Sequence, residues 1–430
     1  MSLSRMRRAL APRLAAGVAA CVLISALVGG VNAQDAPAAL TIDDAVARAL
    51  DAAPLLRAGE EGLRAADGAY RQAGARPNPE LLIEAENFAG SGDFNGVGGA
   101  EFSYSLGQQI ERGGKRRARR AVAGAERDIA GLTIERTRLD VIFAAEAAFI
   151  DAVAADAGAD LARARATSAA ETSRAVARRV EAARDPKGAG DSAAAAAAAA
   201  ASDFARAERE RDLAHQQLAL LTGIGAPDIA LVAPWFAAPP PLIGDASPDP
   251  STSPDLAIFK AAEDRAEAAV ALERAAAKQD PTISLGARNL RETRDTAAIL
   301  SVSMPLAIFN RNKGAIARAE AERRQAAFER EAGALALSRE IVRARGVLDT
   351  ARAEADTLRR DVIPRAETAL AGARAGYARG AFTYLEVFSA QTALFDFRAR
   401  EVDALRRAHL ARAEFDRLTA RLAAPADVKE

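Results

Sequence analysis

Twice in this chain an alternating, strand-like segment hands over to an outsized helix, and that doubled event limits the folds open to it. Glu101-Phe102-Ser103-Tyr104-Ser105-Leu106 has a period of two, and Ile110-Glu111-Arg112-Gly113-Gly114-Lys115-Arg116-Arg117 follows it. Beyond that motif a charged, alanine-rich stretch runs without proline as far as Pro186, the pattern of one long helix. At 1.5 Å per residue it would reach roughly 100 Å, several times a globular helix. The second occurrence is Ile299-Leu300-Ser301-Val302-Ser303-Met304, leading through Ile308-Phe309-Asn310-Arg311-Asn312-Lys313-Gly314 into another long helix. Lys115 and Lys313 correspond, as do Ser103 with Ser301 and Ser105 with Ser303, so the chain reads as a duplication.

The elements around these joints repeat in order. Thr41 caps a first helix with Asp43 and Asp44 in its opening turn, and the pair Pro77 and Pro79 ends the helix that precedes the first strand. The first repeat covers 34–224, with strands near 80–88 and 100–110 and a helical hairpin over 112–222. A proline-rich connector with the lone Trp235 spans 225–253. The second repeat covers 254–424, with strands near 281–290 and 298–308 and a hairpin over 313–420, bent at Pro364; 425–430 is a tail. Asp185-Pro186-Lys187-Gly188 is the turn of the first hairpin, with Asp191 or Ser192 capping its return helix. In the second long helix Phe328, Leu335 and Val342 keep a seven-residue interval, as in a coiled coil.

Residues 1–33 read as an export signal: Arg5, Arg7, Arg8 and Arg13, an apolar core from Leu14, and Val31-Asn32-Ala33 as a cleavage site. Cys21 lies inside that segment, with a lipid-anchor junction as the lesser reading. Removing the segment leaves 54 basic against 58 acidic side chains and no cysteine. That argues against nucleic acid as a partner and against thiol chemistry. His215 and His409 stand at unrelated positions on the two return helices, too few for a metal centre. Gly113-Gly114-Lys115-Arg116 lacks both the leading glycine and the following Ser or Thr of a phosphate loop, so no enzyme and no cofactor are expected.

An exported chain without an apolar helix of about 20 residues crosses a membrane only as a β-barrel. Leu81, Ile83 and Ala85 share one strand face and Leu82, Glu84 and Glu86 the other, which suits a wall between lipid and water. Four short strands cannot close a barrel, whereas symmetric association of three chains supplies twelve. The fold class is mainly α with a small β part: four strands and two coiled-coil hairpins per chain. A periplasmic coiled-coil adaptor or structural protein is the alternative, but it would show one hairpin flanked by many β segments.

The duplicated plan, a proline before the first strand of each half, and Ala375-Gly376-Tyr377-Ala378-Arg379-Gly380 followed by Leu385-Glu386-Val387 and Gln391 resemble the outer membrane efflux protein (TolC-like) family. Glu86-Asn87-Phe88 and the run Gln108 to Arg116 are similar to its CzcC-type heavy-metal branch. The resemblance implies a homotrimer with a twelve-stranded barrel in the outer membrane of a Gram-negative bacterium and a helical tunnel in the periplasm. It also implies a periplasmic adaptor and an inner-membrane RND pump as partners; multidrug or type I secretion channels are the alternatives within the family.

Such channels close at the hairpin tips through a tyrosine, an arginine and aspartates. Tyr377 matches the tyrosine and Glu386 an aspartate, while Phe382 stands at the arginine position and Ser389 at a second aspartate position. Asp191 is the expected acid of the first tip. The plainer reading makes Tyr377 a packing residue and Glu386 and Asp191 helix caps or first-turn acids. Gly113, Gly114, Lys115 and Arg116, with Lys313 and Gly314, are expected to form the barrel-to-tunnel joints, with Lys115, Arg116 and Arg117 meeting anionic head groups or neighbouring acids.

Overall fold

The computed structural model describes residues 39–224, 230–243 and 253–420. The export signal with Cys21, parts of the connector and the 425–430 tail lie outside the described residues. The helices α1 (Ile42–Ala52) and α2 (Pro54–Ala73) lead to β1 (Glu80–Glu86) and β2 (Glu101–Gln109). Next come α3 (Lys115–Glu181) and α4 (Lys187–Thr222). The second half runs α5 (Pro254–Ala276), β3 (Thr282–Leu290), β4 (Asp295–Ser303), α6 (Lys313–Thr357), α7 (Ile363–Ala378) and α8 (Tyr384–Leu418).

Each start has a local cause. Thr41 and Asp44 form a reciprocal capping box on α1, and Pro54 and Pro254 occupy the first turns of α2 and α5, where no amide is needed. Helix α3 has 67 residues, about 100 Å at the standard rise. Alanine makes this possible, being the best helix former and small enough to let long helices approach closely. The core is accordingly a chain of modest clusters strung along the helices. Phe149 and Leu218 centre one, Leu348 and Phe415 a second, and Val176, Leu370 and Val387 a third.

The strands form one open antiparallel sheet in the order β1-β2-β3-β4. Its register explains the alternation. One face carries the row Leu81, Leu106, Leu285, Leu300, and beside it Ile83, Tyr104, Ala287, Ala298. The other carries Glu84, Ser103, Arg288, Ala297 and then Glu86, Glu101, Leu290, Asp295. On that polar face Arg288 donates to Ser103 Oγ at 2.9 Å and meets Glu101 at 3.0 Å and Glu86 at 3.3 Å. Leu81, Leu106, Leu285 and Leu300 are each more than half exposed, a cost no water-soluble sheet would carry.

Several boundaries differ from the sequence reading. β1 stops at Glu86 because Asn87 turns the chain at φ 55°. β4 begins at Asp295, opposite Leu290, and ends at Ser303, ahead of Pro305 and not at 308. α3 begins at Lys115, after two left-handed glycines, and not at 112. Between α6 and α7 the bend expected at Pro364 is a π-helical turn, Leu358–Val362, which accommodates the missing proline amide. The interval Phe328, Leu335, Val342 is not core within one chain: these side chains are 68%, 64% and 71% exposed. Leu337, Ile341 and Leu348 are the large side chains that α6 buries, in the cluster that holds Phe415 of α8.

The connector is held in place by name. Leu40 N–H donates to Ala230 O at 2.8 Å and Val232 N–H to Leu40 O at 3.0 Å. Trp235 stacks on Phe149, with His409 edge-on at 4.7 Å and Phe236 stacked against the imidazole at 5.5 Å. His409 Nε2 bonds Ala238 O at 3.0 Å, and burial lowers its pKa below the ordinary imidazole value. His215 pairs with Asp156 at 2.9 Å. Neither histidine belongs to a metal-ligand cluster among the described residues.

Candidate functional site

Two places carry the arrangement, the joints and the hairpin tips. At the first joint Gly113 and Gly114 take φ 76° and 77°, the left-handed region that only glycine enters freely. A Cβ on Gly113 would stand 2.6 Å from Lys278 Cδ, so the close packing also requires glycine. Asp280, the residue before Pro281 and β3, then locks the joint. It accepts from Lys115 Nζ at 2.7 Å, Arg112 N–H at 2.8 Å and Gln109 Nε2 at 3.3 Å. Burial pushes its carboxyl pKa upward, but these donors outweigh that and hold it below the usual range. Lys115 thus meets an acid contributed by the other repeat, while Arg116 faces a cleft between helices.

The second joint is built differently. Asn312, at φ 58°, takes the left-handed position, and its amide donates to Glu273 O and Oε2 at 2.9 and 2.8 Å. Gly314 lies inside the first turn of α6 with ordinary helical φ and open space around it, so the bend does not reside there. Lys313 is exposed at the helix start.

The tips bring together residues distant in sequence. Tyr377, at the end of α7, is 7% exposed, and its hydroxyl donates to Asp185 in the turn of the first hairpin. Arg179 of α3 bonds Asp185 through Nε at 3.0 Å and Nη2 at 3.2 Å. It also donates Nη1 to Tyr377 O at 3.0 Å and lies over the Tyr377 ring at 4.5 Å. The hydrogen bonds from Arg179 hold the Asp185 carboxyl below its usual pKa. Burial first, and then the bond to Asp185, push Tyr377 up to about 12. Tyrosine, arginine and aspartate therefore form a clasp between the two hairpins.

The other expected tip residues are placed elsewhere. Asp191 is exposed within α4, since the return helix already begins at Lys187, and it neither caps the helix nor joins the clasp. Glu386 accepts from Thr383 N–H at 2.6 Å and Oγ1 at 2.9 Å, a capping box that employs it on its own helix. Phe382 brings no charge; its ring lies where a Cβ on Gly376 would come within 2.3 Å. The arginine comes instead from position 179 on the opposite hairpin. Ser389 is exposed on α8 and makes no side-chain hydrogen bond among the described residues. Asp185 and Arg179 were missed because nothing local marks them, although Pro186, the extended N-cap of α4 directly after Asp185, was a usable signal.

An open sheet with one apolar and one polar face, whose strands β2 and β4 continue into the long helices α3 and α6, defines a segment of a membrane barrel set on a helical tube. This chain belongs to the outer membrane efflux protein family, whose model matches residues 45–224 and 251–421. It is 31% identical over 390 residues to the cobalt-zinc-cadmium resistance protein CzcC of Cupriavidus metallidurans, covering 90% of this chain and 92% of that protein. To the nickel and cobalt resistance protein CnrC of the same organism it is 28% identical over 324 residues, 75% and 72% of the two chains. The crystal structure of CusC has the same fold at a TM-score of 0.77, with 19% identity, covering 88% of this chain and 91% of that one. VceC of Vibrio cholerae superposes at 0.72, also with 19% identity, over 88% and 95%. The resemblance seen in the tip and joint motifs therefore holds, and the chain is a channel component of efflux at the outer membrane, not a catalyst.

Proposed function

We propose that three copies of this chain close into a passive duct that carries heavy-metal cations out of the cell, fed by a periplasmic adaptor and an inner-membrane RND pump. The observation that carries the closure is the open sheet. β1 and β4 each have one free edge among the described residues, and their apolar face is bare. In hydrocarbon an unpaired strand edge has no water to satisfy it, so only closure by further copies is tolerable. The helices follow the strands in order, which leaves α2 and α6 at the flanks, with Leu55 on one and Phe328, Leu335 and Val342 on the other all more than 60% exposed. These are the faces a neighbouring copy would cover.

Metal cargo is supported by the two relatives, both named for resistance to divalent cations. The duct itself needs no metal site for this, since the pump supplies energy and selection. The clasp of Tyr377, Asp185 and Arg179 holds the two hairpins of one chain together at the adaptor-facing end. Beside it Asp185, Phe382, Tyr384 and Phe388 line a groove of about 670 Å³ that suits contact with an adaptor. Deleting the gene should sensitise cells to zinc, cobalt, cadmium or nickel. Sensitivity to drugs alone would overturn the metal assignment and favour a multidrug duct.

A further inference from the structure

Helix α3 opens with Lys115, Arg116, Arg117, Arg119 and Arg120 and has no acid in its first turn, although the helix dipole disfavours cations there. The chain itself neutralises two of them, Lys115 by Asp280 and Arg119 by Glu111. Arg116 and Arg117 have no ion pair or hydrogen bond among the described residues. They line a cleft of about 910 Å³ between α2, α3 and α5, together with Arg120, Arg127 and Tyr70. Tyr70 organises one wall of the cleft: its hydroxyl accepts from Arg120 Nη2 at 2.7 Å, and its ring carries Arg120 at 4.8 Å and Arg127 at 5.5 Å. The acids present are already engaged, Asp128 with Arg127 at 3.6 Å and Asp264 with Lys260.

Position decides what kind of anion such a cleft would meet. Arg116 follows the end of β2 at Gln109 by only seven residues, just past the last apolar row of the sheet, Ile283 and Val302. Eleven residues make three helical turns, so Arg116, Arg127, Arg138 and Phe149 share one stripe of α3. At Phe149 that stripe is covered by Trp235 of the connector; at Arg116 and Arg127 it borders the open cleft. A connector cannot fill the lumen of a working duct, so this stripe faces outward, directly below the membrane. Arg116 to Arg120 span about 6 Å along the helix, within the head-group layer of about 5–8 Å.

We propose that this cleft binds the phosphate of an anionic phospholipid head group at the periplasmic surface of the outer membrane, anchoring the duct at a fixed depth. Guanidinium forks match phosphate oxygens two at a time, and Tyr70 holds Arg120 and Arg127 in the cleft that Arg116 and Arg117 also line. The proposal rests on the outer-membrane placement, so its test is separated from that of the duct. Full-length protein in neutral detergent is melted with dihexanoyl-phosphatidylglycerol, with dihexanoyl-phosphatidylcholine, or with inorganic phosphate at equal concentration. The variants are Arg116→Gln/Arg117→Gln and, as a control of equal charge loss on α6, Arg323→Gln/Arg324→Gln.

Phosphatidylglycerol should raise the melting midpoint of the wild type and of the α6 control, and the other two additives should not. The Arg116→Gln/Arg117→Gln variant should keep its bilayer conductance yet need at least about tenfold more phosphatidylglycerol for the same shift. Should that double variant not assemble, Arg117→Gln alone, at an exposed position, should weaken the response in the same direction. An equal response to phosphatidylcholine, an unchanged response in the arginine variants, or the full shift from inorganic phosphate would each overturn the proposal.

Discussion

The clasp at the hairpin tips is three side chains whose partners lie far apart in sequence, Tyr377 and Asp185 being separated by 192 residues. Tyr377→Phe keeps the ring on Arg179 and removes only the hydrogen bond to a charged acceptor, at a cost of about 1–3 kcal/mol. The expected outcome is a larger open fraction in single-channel records, with little change in assembly; unaltered gating would show that the clasp only packs the tip. A second residue gives the chain a pH response. Glu146, on α3, is pushed up to about 7 by burial and by the nearby carboxylates of Asp416 and Asp43. Its folded pKa lies above the unfolded one, so the folded state binds the proton more tightly. Stability from this group therefore falls as pH rises from about 4.5 to 7 and stays lower above that, by on the order of 2–3 kcal/mol. Glu146→Gln should melt later than wild type at pH 8 and nearly together with it at pH 5, as followed by circular dichroism.

At the scale of elements the two joints perform the same turn with different residues. Gly113→Ala would place a Cβ in the left-handed region and against Lys278, so loss of about 1–2 kcal/mol or more is expected in denaturant melts. Gly314→Ala, inside α6 with open space, should be neutral to slightly stabilising. The strands and long helices were legible beforehand, because a period of two in Leu81 to Glu86 and a proline-free alanine stretch are local signals. The doubled joint was legible for the same reason. Asn312 as the turning residue was not, since Lys313-Gly314 imitates Gly114-Lys115 in composition while the left-handed turn sits at Asn312, two residues before Gly314. Asp185 was hidden by its distance from Tyr377, and the anchoring of the connector on His409 by the absence of any pattern in 230–243. Local periodicity reports elements; contacts across repeats are settled only by packing.

For the molecule as a whole, the exposed apolar row of the sheet, the two strand edges unpaired among the described residues and the bare stripe of Phe328, Leu335 and Val342 would all be answered by the proposed closure by identical copies. Leu335→Glu places a charge on a face expected to be buried between copies, away from both the sheet and the tip. It should shift the protein from oligomer to monomer in native mass spectrometry, whereas an unchanged oligomer would mean that this stripe faces solvent or some other partner. On the face opposite the apolar row, Glu84, Glu86, Glu101 and Asp295 outnumber Arg288 among the described strand residues, the charge that the proposed cation duct would need on its inner face.

The most direct test of the duct is single-channel recording of the purified full-length chain in a planar bilayer, with its copy number read by native mass spectrometry on the same preparation. Closure by association predicts a three-copy species with steady, water-filled conductance that Tyr377→Phe enlarges. A monomer without conductance would contradict it.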